Sequence, residues 1–99
     1  MTNLETTWDG NVLTISGELD LASAAELEDV ACTRADGRAD VILDLAGVSF
    51  VDSTGVRSLV RIANRAVPCH VILRGARPNV RRLFELTGIE AAVPNLTVE

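Results

Sequence analysis

Aromatic residues are nearly absent from this chain of 99 residues: one tryptophan, two phenylalanines and no tyrosine make up 3%. Stacking platforms for bases or sugars are scarce, so a core must be built from Val, Ile, Leu and Ala. Positive charge is also in short supply. Nine basic residues stand against 14 acidic ones, for a formal net charge of -5. Non-specific binding to nucleic acid needs Lys and Arg in surplus to neutralise phosphates, so no direct nucleic-acid contact is expected, and a charged partner would be basic. The two cysteines, Cys32 and Cys69, form no CxxC pair, and a single histidine, His70, cannot complete a zinc ligand set. Buried free thiols in a reducing compartment are the expectation. No secretory apolar segment opens the chain, and no apolar run approaches the roughly 18 residues of a membrane span. A soluble cytoplasmic protein without direct membrane insertion is expected. No lysine completes a GxxxxGK phosphate loop, and one histidine gives no Ser/His/Asp set. Catalytic residues, a metal and a cofactor are therefore not expected, and the chain is not read as an enzyme.

What is present is apolar mass: hydrophobic residues are 47% of the chain. Disorder is excluded on that ground, and the length suits one domain over residues 1–99. No repeat, linker or low-complexity tract divides it. Residues 4–8 and 11–17 read as two strands around an Asp9-Gly10 turn, a hairpin signal, with Gly17 ending the second. Trp8 beside that turn reads as a core plug. Ser23-Ala24-Ala25-Glu26 has capping-box spacing for a helix, with Ala24, Leu27, Val30 and Ala31 on its inner face and Asp36-Gly37 closing it. Val41-Ile42-Leu43-Asp44-Leu45 is an almost continuous apolar run, as in a central strand covered on both faces. Asp44 within it needs a partner, in support of the Asp52 loop or at the strand end facing solvent. A loop from Gly47 to Asp52 follows, with Val48, Phe50 and Val51 packing beneath it.

The next helix spans about Ser53 to Ala66, with Val56, Leu59, Val60, Ala63 and Val67 as its core stripe and Pro68 ending it. Ile62 falls off that stripe, on the side of Gly55 and Ser58, and reads as an ordinary surface apolar residue or a partner contact. His70 reads as a satisfied core histidine. Val71-Ile72-Leu73 is a second buried strand. Pro78 opens a third helix where its missing N–H costs nothing; Val80, Leu83, Phe84 and Thr87 face inward, and Gly88 stops it. Leu96-Thr97-Val98 is a last short strand. Arg57, Arg61, Arg65, Arg74, Arg77, Arg81 and Arg82 crowd the second half as solvated faces. The order β-β-α-β-α-β-α-β implies right-handed parallel crossovers after an antiparallel hairpin. The expected fold class is α/β: a sandwich of helices packed against a mixed, mostly parallel sheet with an N-terminal hairpin.

One constellation stands out. Asp52-Ser53-Thr54-Gly55 lies between a buried strand and an amphipathic helix, at an exposed helix N-terminus. The first amides there lack helical partners, and the dipole's positive end points outward. Ser53 or Asp52 can cap them. Such residues cluster at helix starts for capping alone. A hydroxyl at that place is also open to a phosphate donor, and the helix tolerates an anion there. Phosphate would add about -1.5 to -2 of charge beside Asp52 without unfolding the domain.

The context sharpens this. The stretch from Val41 through Asp52-Ser53-Thr54-Gly55-Val56 resembles the signature of STAS domains, and more narrowly that of bacterial anti-sigma factor antagonists. Gly17-Glu18-Leu19-Asp20 and the segment Arg77-Pro78-Asn79-Val80-Arg81-Arg82-Leu83-Phe84-Glu85-Leu86-Thr87-Gly88-Ile89 are similar to that family too, in its order and spacing. The resemblance implies that an anti-sigma factor, a serine kinase of the histidine-kinase-like ATPase fold, phosphorylates Ser53. It implies that the unphosphorylated form binds this kinase and releases a sigma factor, that phosphorylation abolishes binding, and that a phosphatase resets the switch. Asp20 maps to an acidic residue near the phosphoacceptor, and Gly55 to a place where the partner backbone comes close. The partner-binding set is then Asp20, Asp52, Ser53, Thr54, Gly55 and Ser58. Thr54 stands where many relatives have a second serine, and is a poorer acceptor. The chain also stops at Glu99, where relatives often carry a further strand and a short helix. Stand-alone STAS domains also resemble accessory subunits bound to the ATPase of ABC-type lipid transport systems, an alternative without a kinase.

Overall fold

The computed structural model describes residues 3–99. The hairpin forms as the Asp9-Gly10 turn predicts, from β1 (Leu4–Asp9) and β2 (Val12–Leu19). β2 does not stop at Gly17, however. It continues to Leu19 through an irregularity at Gly17, whose φ is 108°. A Cβ there would lie 1.7 Å from the Asn3 carbonyl oxygen, so only glycine lets the start of the chain cross at that point.

After β2 come α1 (Ala24–Cys32), β3 (Val41–Val51), α2 (Ser53–Ala66), β4 (Val71–Arg74), α3 (Pro78–Thr87), the short α4 (Ile89–Ala92) and β5 (Leu96–Val98). Among the described residues these strands form one five-stranded sheet in the order β1-β2-β3-β4-β5. Only β1–β2 is antiparallel; the remaining pairs are parallel. The mixed, mostly parallel sheet expected of the sequence is thus present.

Each parallel step moves one strand in the same direction, and right-handed crossovers then place every connecting helix on one face. The burial pattern agrees. Leu13, Ile15, Leu43, Leu45, Val71, Leu73 and Leu96 join the core with Leu27, Leu59, Val80 and Phe84 from the helices. On the alternate positions Ile42 and Ile72 are only half-buried and Thr14 is exposed. β3 is therefore covered by helices on one face, not two. Asp44 lies on the alternate side, where its carboxylate accepts from the Arg74 guanidinium at 3.1 Å and from the Ala46 amide at 3.0 Å. It does not support the Asp52 loop.

The expected loop at 47–52 is strand: β3 runs on to Val51, paired with β2 across register shifts. Gly47 signals a break locally, but pairing overrides it. Val48 and Val51 pack inward as predicted, whereas Phe50 is exposed. α1 ends at Cys32, before Asp36-Gly37. Its Ser23 makes no capping bond to the helix, against the capping-box expectation. Val67 is exposed, because the stripe of α2 closes at Ala66. Thr87 is exposed, although Val80 and Phe84 face inward. His70 is exposed rather than in the core, on the turn before β4, with its Nδ1 3.9 Å from Asp40. Cys32 and Cys69 are free and half-buried. Trp8 is half-buried too, donating to the Val30 carbonyl at 3.3 Å beneath the Arg34 guanidinium. Among the described residues no helix is long and apolar enough to cross a membrane.

Candidate functional site

The site begins with a pairing. Leu19 at the end of β2 faces Val51 at the end of β3 in parallel register. The next residues, Asp20 and Asp52, therefore leave the sheet side by side. The Asp52 amide donates to the Leu19 carbonyl at 3.1 Å, which ties the two strand ends together.

From there the chain turns directly into α2. Asp52 has extended geometry as the N-cap, and its Oδ1 accepts from the Gly55 amide at 2.9 Å. Of the two capping residues the sequence offers, Asp52 does the capping. Ser53 is then the first helical residue, and it is exposed. Among the described residues its hydroxyl has no hydrogen-bond partner. The Gly55 amide and, through the Asp52 carbonyl, the Val56 amide are bonded without it. Thr54 is half-buried beside it.

The neighbouring turn is built by a buried serine. The Ser23 hydroxyl accepts from the Asp20 amide at 3.0 Å and donates to the Glu18 carbonyl at 2.7 Å. Asp20 Oδ1 accepts from the amides of Ala22 at 3.1 Å and Ser23 at 3.3 Å. Ser23 thus staples the Glu18–Asp20 turn beside Asp52 instead of capping α1. Asp20 is half-buried.

Two residues expected at the partner surface lie elsewhere. Gly55 is buried, and a Cβ on it would fall 2.5 Å from the Leu19 carbonyl oxygen and 2.9 Å from the Leu19 side chain. Its missing side chain admits β2 of this same chain, not a partner backbone. Ser58 is completely buried, and its hydroxyl donates to the Gly55 carbonyl at 2.7 Å. Ile62, on the same side of the helix, is completely buried as well. The cause is shared: α2 packs against α1 as well as the sheet, so its buried arc is wider than one stripe.

Two apolar side chains stand exposed at this end of the sheet, Phe50 against the expectation that it packs inward and Leu21 with no role expected of it. Leu21, next to Asp20, is 77% exposed, and Phe50, two residues before Asp52, is 48% exposed. Nothing in the sequence separates an exposed loop leucine or strand phenylalanine from a buried one. The assembled surface therefore carries carboxylates at Asp20 and Asp52, the hydroxyl of Ser53 and two apolar side chains nearby. It offers an acceptor for a transferred group and a contact surface.

The family model described as the STAS domain matches residues 3–98. An anti-sigma-B factor antagonist of Staphylococcus aureus is 34% identical over 93 residues, covering 89% of this chain and 86% of that protein. An anti-sigma factor antagonist from Mycobacterium paratuberculosis superposes with a TM-score of 0.72 at 27% identity, over 95% of this chain and 83% of that one. A Bacillus cell fate determinant, solved in its phosphorylated form, shares the fold with a TM-score of 0.65 at 20% identity, over 97% of this chain and 90% of that one. With the strand order, the Asp52-to-Gly55 turn and these likenesses together, the chain belongs to the STAS domain family, among its anti-sigma factor antagonists.

Proposed function

We propose that this chain is a phosphorylation-controlled binding protein. Unphosphorylated, it engages an anti-sigma factor serine kinase and so frees a sigma factor; phosphorylated at Ser53, it does not. It acts in the cytoplasm as a ligand for its partners rather than as an enzyme, and a phosphatase restores the hydroxyl.

The observation that carries this reading is the Ser53 hydroxyl at the start of α2, exposed and without a hydrogen-bond partner among the described residues while Asp52 holds the cap. Because Asp52 and not Ser53 holds the cap, that oxygen can be modified without loss of the cap. In the transfer, Ser53 Oγ attacks the γ-phosphorus of ATP held by the kinase. The new O–P bond forms as the bond to the β-phosphate oxygen breaks, ADP leaves, and the hydroxyl proton passes to a base on the kinase. Hydrolysis by the phosphatase returns the hydroxyl and inorganic phosphate.

The added charge of about -1.5 to -2 arrives beside Asp52 and Asp20. A partner that packs closely on this surface must then bury an anion, or meet a locally more acidic face. A hundredfold loss of affinity needs only about 2.8 kcal/mol, since each ~1.4 kcal/mol is tenfold. The contact surface consists of Asp20, Leu21, Phe50, Asp52, Ser53 and Thr54; Gly55 and Ser58 support it from beneath.

Incubation with the kinase and labelled ATP tests the acceptor. Label should enter the native chain and the Thr54→Ala variant but not Ser53→Ala. Full labelling of Ser53→Ala would refute the assignment.

A further inference from the structure

Arg57 stands one helical turn beyond Ser53 on α2, and both residues are exposed. Residues four apart on a helix share a side, with Cβ atoms about 5–6 Å apart. Among the described residues Arg57 makes no hydrogen bond or ion pair. Arg61, one turn further along, is already tied to Glu28 at 3.4 Å. The charged groups nearest Ser53 in the chain and across the sheet are otherwise acidic: Asp52 precedes it, and Asp20 leaves the adjacent strand end. A phosphate on Ser53 would thus enter an acidic corner with Arg57, uncommitted among the described residues, one turn away.

We propose that Arg57 is the internal counter-ion of phosphorylated Ser53, folding back one turn to hold the phosphate on the helix. The inference rests on the reading that Ser53 accepts phosphate. The guanidinium fork matches phosphate oxygens with two parallel donors, which a lysine ammonium cannot do. The polarity also suits the helix, with the anion in the first turn and the cation on its C-terminal side. Two consequences follow for the switch. The phosphate is partly neutralised against Asp20 and Asp52, so the modified domain stays folded. The outward-facing positive charge of Arg57 is withdrawn at the same moment, so a partner loses a cation and meets an anion at one place.

Installing phosphoserine at position 53 during synthesis removes the need for a kinase, and phosphorus NMR then follows the phosphate's second ionisation. The native chain, Arg57→Gln, Arg57→Lys and Arg61→Gln are titrated side by side. A cation beside the phosphate favours the dianion, so the native midpoint should lie about half a pH unit below that of Arg57→Gln. Arg57→Lys should fall between them, and Arg61→Gln should match the native chain. Equal midpoints for the native chain and Arg57→Gln would overturn the assignment. A midpoint moved as much by Arg61→Gln as by Arg57→Gln would overturn it too, by assigning the effect to the general charge of the helix. Titrating the same samples with the anti-sigma factor separates this from the underlying reading. If the phosphorylated native chain binds as tightly as the unphosphorylated one, the switch fails, whatever the midpoints show.

Discussion

Gly55 rests directly on Leu19: a Cβ added to Gly55 would lie 2.5 Å from the Leu19 carbonyl oxygen. That oxygen also accepts the Asp52 amide, so it is held in place and cannot retreat. The start of α2, and with it Ser53, is positioned by this contact. Gly55→Ala gains helix propensity of about 1 kcal/mol, but it forces backbone against backbone. Overpacking of this kind costs about 1–3 kcal/mol. The net expectation is a destabilised variant with α2 displaced at its first turn. Urea denaturation measures the loss, and an equally stable or more stable variant would contradict the account.

Asp52 serves as the cap, so its carboxylate and its charge can be separated. Asp52→Ala removes the acceptor for the Gly55 amide and should cost about 1 kcal/mol. Asp52→Asn keeps an acceptor oxygen and should cost much less. Thermal unfolding of the two variants beside the native chain checks the order.

Ser23→Ala strips the staple from the Glu18–Asp20 turn. It leaves the Asp20 amide and the Glu18 carbonyl without the hydroxyl that joins them. Loss of buried hydrogen bonds of this kind costs about 1–3 kcal/mol. Because Asp20 is placed by that turn, the same variant should bind the anti-sigma factor more weakly than its fraction folded explains. Denaturation and binding measured on one sample distinguish the two effects.

Asp44 supplies a pH dependence. The Ala46 amide holds its carboxyl below the ordinary carboxylate range; partial burial pushes the other way, and the Arg74 guanidinium adds to the lowering. A lowered folded value means the unfolded chain binds the proton first as pH falls. The stabilisation is therefore complete above the unfolded value, about 3.9, and is lost as pH drops through the folded one. Asp44→Asn should be less stable than the native chain at neutral pH, with the gap closing in acid. Denaturation at a series of pH values follows it, and a gap that widens in acid would contradict the assignment.

Much of the fold was legible because its signals are local. The Asp9-Gly10 turn, the span from Ser53 to Ala66, Pro78 at the start of α3 and Gly88 at its end each depend on a few adjacent residues. Local signals fail where distant parts of the chain decide. β3 runs past Gly47 because β2 pairs with it, and β2 runs past Gly17 for the same reason. A single apolar stripe on α2 leaves Gly55, Ser58 and Ile62 outside it. Packing of α1 buries that side as well. The spacing of Ser23 and Glu26 points to the helix that follows, whereas the Ser23 hydroxyl serves the turn before it. At the site, Asp52 and Ser53 could be singled out from sequence, but the division of labour between them could not. Either residue type caps a helix, and only the geometry assigns the cap to Asp52.

A phosphate on Ser53 should change binding without changing the fold. Calorimetric titration of the anti-sigma factor with unphosphorylated and Ser53-phosphorylated protein measures this, with circular dichroism of both forms alongside. The expected result is superimposable spectra and an affinity lower by at least about a hundredfold in the phosphorylated form, the loss that about 2.8 kcal/mol produces. Equal affinities, or a phosphorylated form that has lost its helical signal, would contradict it.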